Sequence, residues 1–194
     1  DHADRYPAET VEQMKELGLF GATVTAQYGG LGLPATTYAK LVMRVSSVWM
    51  AITGIFNSHL MMALLVEKYG SASLRETYLP RFASGEMRGG LALTEPNAGT
   101  DLASLQTRAV RDGDQYVING QKIFTTHAHD AEYIWLAART DPDAPKHKGI
   151  TMILVPTDTP GVEVIRDVGL GYESERDDEG SHAYLRYNDV RVPA

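Results

Sequence analysis

Hydroxyl side chains stand at the two ends of a loop where they could meet a ligand. Thr94 and Thr100 lie in Leu91–Asp101, LALTEPNAGTD. Between Thr94 and Thr100, Pro96 fixes the local backbone and Gly99 lets a ligand approach it closely. A loop of this kind can offer hydroxyls and backbone N–H groups to a phosphate or a polar ring edge. The same residues also suit an ordinary strand-to-loop corner with Thr and Asn as turn formers. Phe124-Thr125-Thr126 also reads as a strand end with an inward Phe and two β-formers. His127-Ala128-His129-Asp130 carries metal-ligating types, but nothing completes a set of three or four ligands, so a turn is the better reading. His59 lies on an apolar helix as a satisfied core histidine or a helix-start residue.

The elements that must position these groups change character along the chain. Val11, Met14 and Leu17 stand at helical spacing within residues 8 to 17, and Gly18 follows as a stop. Residues 19 to 34 are loop-like, punctuated by Gly29, Gly30, Gly32 and Pro34. A second helix runs from about Thr36 to Ile55, with Leu41, Val42, Val45, Val48, Trp49 and Ile52 on its core side. A third runs from Ser58 to Tyr69 with Gly70 as C-cap. Ser73 and Glu76 form a capping box for a fourth, which Pro80 ends or kinks.

At Met87 the period shortens. Leu91–Leu93 is one short strand, presented by the apolar run Gly90-Leu91-Ala92-Leu93. Leu105–Arg111 and Gln115–Asn119 form a hairpin about Asp112-Gly113-Asp114, and Asn119-Gly120 is a second tight turn into Gln121–Thr125. Tyr133–Arg139 alternates as a half-buried strand, Asp141–Lys148 is an exposed loop, and Ile150–Pro156 is apolar enough for a central strand. Val162–Arg166 and Ala183–Tyr187 complete the set. A helical piece followed by an all-β piece implies an α+β chain of two domains, with a boundary near residue 88.

Bulk properties narrow the function classes. The chain has 194 residues and a formal charge of −7, which argues against a nucleic-acid surface. It has no cysteine, so disulfides, thiolate catalysis and cysteine-based zinc sites are excluded. The first residues lack the apolar core of a signal peptide. The most apolar region, Val48–Val66, is interrupted by Asn57-Ser58-His59 and falls short of the ~18 uninterrupted apolar residues of a membrane span.

Several segments, in order, resemble the acyl-CoA dehydrogenase family. LALTEPNAGTD is similar to its A-x-T-E-P-x-A-G-S-D signature. Leu17–Phe20 and Tyr28–Gly32 resemble its ELGL and YGGxG segments, and Tyr69-Gly70 with Tyr78–Glu86 its YG…YLPxLASGE run. Tyr116–Lys122 resembles its YxINGxK hairpin and Val190–Pro193 its closing VxVP. The resemblance implies a partial N-terminal α-helical domain over 1–88, then an antiparallel β-barrel-like middle domain over 89–194, without the family's first helices and C-terminal helical domain.

It further implies FAD-dependent α,β-dehydrogenation of an acyl-CoA thioester, with hydride passed to the flavin. Leu91, Leu93 and Thr94 match flavin-lining positions. Gly99 belongs to the same loop, and Thr100 matches a serine that contacts the FAD pyrophosphate and the substrate's thioester side. Thr100 keeps the hydroxyl but adds a methyl, so FAD contact carries over more firmly than substrate contact. Phe124-Thr125-Thr126 stands where the family has W-x-T, so Phe124 packs against the ring system and Thr126 lies near the hydride acceptor. The base is expected beyond Ala194, and Glu95 is given a structural part, such as capping or a hydrogen bond to the loop backbone. Asp177-Asp178-Glu179 lies in a charged stretch, Tyr172–Gly180, longer than the family norm. Expected partners are acyl-CoA, an electron-transfer flavoprotein or similar acceptor, and further copies in a homodimer or homotetramer. Bacterial cytoplasm or a mitochondrial matrix is compatible. The competing readings are an acyl-CoA oxidase or flavin-dependent monooxygenase on the same scaffold, or a non-catalytic flavin- or acyl-CoA-binding protein.

Overall fold

Val11 and Met14, three residues apart, give the first helix its buried side. In the computed structural model, which describes residues 7–126, 128–166 and 182–194, they lie on α1 (Ala8–Glu16) and are almost fully buried. Leu17, grouped with them by spacing, lies past the helix end and is exposed. The chain divides into two compact units, with the boundary between Gly89 and Gly90.

The first unit is helical. Its longest element, α2 (Ala35–Tyr69), is one helix with a kink at Trp49, whose φ and ψ are −153° and 94°. The break therefore falls at Trp49 rather than at Asn57-Ser58. Those polar residues remain helical because tertiary partners satisfy them: the Tyr38 hydroxyl donates to Asn57 Oδ1 at 2.7 Å, and His59 is bonded on both ring nitrogens. On either side of Trp49, Ser47 Oγ donates to Arg44 O and Thr53 Oγ1 to Met50 O, local side-chain bonds of the type that bend helices. Ile52, Ile55, Phe56 and Leu60 pack with Val11, Met14 and Phe20, whereas Val48 and Trp49 are exposed rather than on the core side. By length and composition alone α2 could cross a membrane, yet its buried side chains form the core of this unit.

Gly70 caps α2 in an extended conformation rather than a left-handed one. A Cβ there would lie 2.5 Å from Val66 O, so close backbone approach is what requires glycine. Helix α3 (Ala72–Ser84) starts two residues before the expected capping box, with Ser71 Oγ accepting from Leu74 N. It runs through Pro80, which sits on the exposed side, where water can satisfy the carbonyl that proline leaves without a donor.

Among the described residues the second unit is built on one curled sheet of seven strands: β1 (Gly89–Ala92), β2 (Arg108–Asp112), β3 (Gln115–Thr126), β4 (Tyr133–Arg139), β5 (Ile150–Pro156), β6 (Val162–Arg166) and β7 (His182–Pro193). The order is β1-β4-β2-β3-β7-β6, with β5 on β4. The sheet is mixed. β2–β3, β3–β7, β4–β5 and β6–β7 pair antiparallel, whereas β2 and β4 meet in parallel at Arg108 and Arg139.

Ile134, Leu136 and Ala138 of β4 enter one core with Ala92, Ile118, Leu185 and Val190. Ala137 enters a smaller cluster on the other face with Ala98 and Leu105, so β4 is buried on both faces rather than half buried. The strand expected to be central, β5, pairs with β4 alone among the described strands. Asn119-Gly120 is not a turn. Strand β3 continues through it, with register irregularities against β7 between Ile118 and Gly120 and between Lys122 and Thr125.

His59 of α2 is fully buried. Its Nε2 lies 3.0 Å from Phe82 O and must donate there, while Nδ1 accepts from Gly89 N at 3.3 Å. Burial pushes its pKa down to about 4, although the bond to Phe82 acts the other way. A proton on Nδ1 would face the Gly89 N–H, another donor. Because the folded pKa lies below the ordinary 6.5, stability is complete above that value and declines as pH falls from 6.5 towards 4. The full decline is about 3 kcal/mol. Urea unfolding of the full-length protein at pH 7 and pH 5 is expected to show about 2 kcal/mol of this loss, and His59→Leu to flatten it. An equal slope in the variant assigns the loss to other groups.

Candidate functional site

After Ala92 the chain leaves β1, and beyond Thr94 it doubles back. Glu95 N donates to Ala98 O at 2.8 Å and Ala98 N to Glu95 O at 3.1 Å, closing a turn with Pro96 and Asn97 at its corner. Leu93 packs against Ala98, Leu105 and Ala137. Ile123 N donates to Thr94 O at 2.9 Å, which ties this loop to β3. At the other end of the segment, a Cβ on Gly90 would lie 3.4 Å from Thr126 O and 3.8 Å from Thr125 Cγ2. The two hydroxyl-bearing segments, separate in sequence, are therefore neighbours at two points. Thr100 lies beyond the turn, exposed, and no hydrogen bond among the described residues links it to the others.

Strand β3 turns its side chains over at Phe124. Residues 118 and 122 face inward, but Phe124 adopts a left-handed φ of 59°, and Thr125 then takes the inward place. Phe124 is 44% exposed as a result. A left-handed non-glycine residue costs about 1–3 kcal/mol, a strain of the kind that collects at ligand sites. Thr126 is half buried, and its Oγ1 lies 3.1 Å from His182 Nδ1. Thr125 Oγ1 is buried without a hydrogen-bond partner among the described residues, so Phe124 and Thr126 are the side chains of this segment that reach the surface.

A buried ion pair underlies the loop. Lys122 is fully buried, and its Nζ donates to Glu95 Oε1 at 2.8 Å and to Leu93 O at 3.0 Å. Glu95 also accepts from Gln106 N at 2.7 Å and Thr107 N at 2.9 Å. Burial pushes the Glu95 carboxyl up, but the bonds from Lys122, Gln106 and Thr107 together hold it below the usual range. Burial lowers the Lys122 ammonium, and Glu95 offsets only part of that. Both oxygens of Glu95 are occupied, which removes it as a candidate base. Its structural assignment stands on these bonds, to the backbone at Gln106 and Thr107 rather than to its own loop.

The residues present fit a planar ligand with a polar edge and a phosphate. Thr94 offers a half-buried hydroxyl with no partner among the described residues, and Thr100 offers an exposed one. Phe124 supplies an apolar face. At Gly99 a Cβ would meet nothing within 4 Å, so the fold itself does not require glycine there. Among the described residues no three His, Asp or Glu side chains converge on a metal site. His127 and the acidic stretch Asp177-Asp178-Glu179 lie outside the described residues. Sequence reasoning missed Lys122, Thr107 and His182. A lysine among inward-facing positions of a strand was the available signal for the first.

Comparison with known proteins finds matches over both parts of the chain. Family models match at residues 1–86, described as "Acyl-CoA dehydrogenase, N-terminal domain", and at residues 90–190, described as "Acyl-CoA dehydrogenase, middle domain". The chain is 39% identical to the acyl-CoA dehydrogenase FadE29 of Mycobacterium tuberculosis, over 99% of this chain and 47% of that protein. Among solved structures it is similar to the Tcur3481-Tcur3483 steroid ACAD, with a TM-score of 0.81 and 40% identity over 95% of this chain and 46% of that one. Butyryl-CoA dehydrogenase from Megasphaera elsdenii aligns with a TM-score of 0.87 and 28% identity over 100% of this chain and 51% of that one. The chain spans about half the length of these relatives.

Two glycines of this region should respond differently to a methyl group. A Cβ on Gly120, at φ 151°, would lie 2.5 Å from Thr107 Oγ1 and 2.7 Å from Thr107 Cα. Gly120→Ala is expected to cost about 1–3 kcal/mol. Gly99→Ala is expected to change stability by less than about 0.5 kcal/mol. Thermal unfolding of the full-length protein measures both, and equal effects would contradict this packing.

Proposed function

The chain belongs to the acyl-CoA dehydrogenase family, and from that premise we propose that the protein uses FAD to oxidise an acyl-CoA thioester to its enoyl-CoA. The observation that carries this reading is the junction of Leu93–Glu95 with Lys122–Thr126, which gathers the unpartnered Thr94 hydroxyl, the half-buried Thr126 hydroxyl and an exposed aromatic ring. When bound, FAD supplies the hydride acceptor. Thr94 donates to the polar edge of the ring and Phe124 packs against it. Thr100 binds the pyrophosphate with its hydroxyl and, less firmly, the thioester end of the substrate. Hydroxyls suit these tasks because they donate without changing protonation state at neutral pH. For Thr126 to donate to the cofactor, His182 must carry its proton on Nδ1, so that the Thr126 oxygen accepts and its O–H stays free.

The base that removes the α-proton comes from the part of the protein that this chain does not span. Met43, Val48, Met50 and Leu64 are exposed on α2, which fits a further domain packed there. An electron-transfer flavoprotein is the acceptor that we assign, and an oligomer the working state. The steroid ACAD similarity puts bulky polycyclic acyl thioesters first among substrates to test.

Anaerobic titration of the full-length, flavin-loaded protein with a panel of acyl-CoAs tests the proposal. The expected result is bleaching of the oxidised flavin's visible absorbance by one class, with enoyl-CoA formed. No bleaching with any acyl-CoA, together with oxygen-dependent turnover of a substrate that is not a CoA ester, would replace this reading with a monooxygenase.

A further inference from the structure

We propose that the Glu95–Lys122 pair is the positioning device of the cofactor site, holding Thr94 in register with the Phe124–Thr126 bulge so that both meet one planar ligand. The inference rests on the flavin reading above.

Three bonds hold three consecutive residues to two. Lys122 Nζ takes Leu93 O at 3.0 Å and Glu95 Oε1 at 2.8 Å, and Ile123 N takes Thr94 O at 2.9 Å. Thr94 is thus fixed from both sides while its own hydroxyl stays free. The other arm of Glu95 reaches Gln106 N and Thr107 N, and Thr107 Oγ1 donates back to Gln121 O at 3.2 Å. The ring of bonds closes on β3 immediately before the bulge at Phe124. A shift of Lys122 therefore moves both segments relative to each other.

Stability alone is a weak reason for such a pair. Two charges taken out of water recover little net energy, and well-packed apolar side chains often serve a core as well. What apolar side chains cannot do is fix the Leu93 carbonyl and the Glu95 carboxylate to the same strand. Lys122 and Glu95 are positioning residues, because they act on the ligand through Thr94, Phe124 and Thr126.

The test uses the full-length protein, with FAD removed and added back. Lys122→Met keeps the volume and removes the bonds. Its FAD affinity is expected to fall roughly tenfold or more, with an altered visible flavin spectrum. Val192→Ala, a core truncation on the same sheet away from the clamp, serves as the stability control and is expected to keep FAD affinity within about twofold. Lys122→Arg, which keeps charge and donors, is expected to recover most of the affinity. Wild-type affinity and spectrum in Lys122→Met would overturn the inference, as would equal weakening in Val192→Ala. If Lys122→Met does not fold, Glu95→Gln takes its place with the same expected weakening, and unchanged affinity there overturns the inference. Failure of the wild-type protein to bind FAD is a different outcome, which removes the flavin reading itself.

Discussion

The buried contact between the Lys122 ammonium and the Glu95 carboxylate is the constraint on which the candidate site depends. An isolated charge in that position would be too costly to keep. It is tolerated because nearly every polar group around it has a partner: one carboxylate accepts from a lysine and two backbone amides, and the lysine also serves a carbonyl. Those partners come from the loop after β1, the segment before β2, and β3. Three stretches distant in sequence are thereby held at one point. Removing one charge leaves the other unpaired in the interior, so the pair couples local geometry to folding of the β unit.

The helical unit solves a similar problem with neutral groups. His59 serves the carbonyl of Phe82 and the amide of Gly89, with the rings of Phe20 and Phe82 edge-on to it. This arrangement needs the uncharged imidazole, whereas the Lys122 clamp relies on charge. The two units consequently differ in how they meet acid. The helical one weakens as His59 takes a proton, and the β one as Glu95 does, at lower pH because its carboxyl is held below the ordinary range.

Much of this was legible in the sequence because it follows from period and punctuation. The change from helical spacing to short strands at Met87 marks the passage from α3 to β1, and β4, β5 and β6 have the bounds that their apolar runs suggest. The misreadings have a common cause, in that tertiary partners overrode local signals. Asn57 and His59 looked like a helix break but are satisfied by Tyr38, Phe82 and Gly89. Asn119-Gly120 looked like a hairpin turn, yet Gly120 is needed where Thr107 presses against the strand, and β7 continues the pairing past it. Lys122 entered only as the end of the YxINGxK-like segment, because nothing in its sequence neighbours reveals Glu95 as its partner across the fold. The threonines could be named from the resemblance, but the clamp that sets their spacing is a three-dimensional property.

The central claim is that one clamp presents Thr94 and Thr126 to the same ring. A crystal structure of the full-length protein with FAD bound tests it most directly. The account predicts the Thr94 and Thr126 hydroxyls within hydrogen-bond distance of the isoalloxazine, with Phe124 against its face and the Lys122–Glu95 bond intact beneath. A ring bound elsewhere, or one that meets only one of the two threonines, would contradict it.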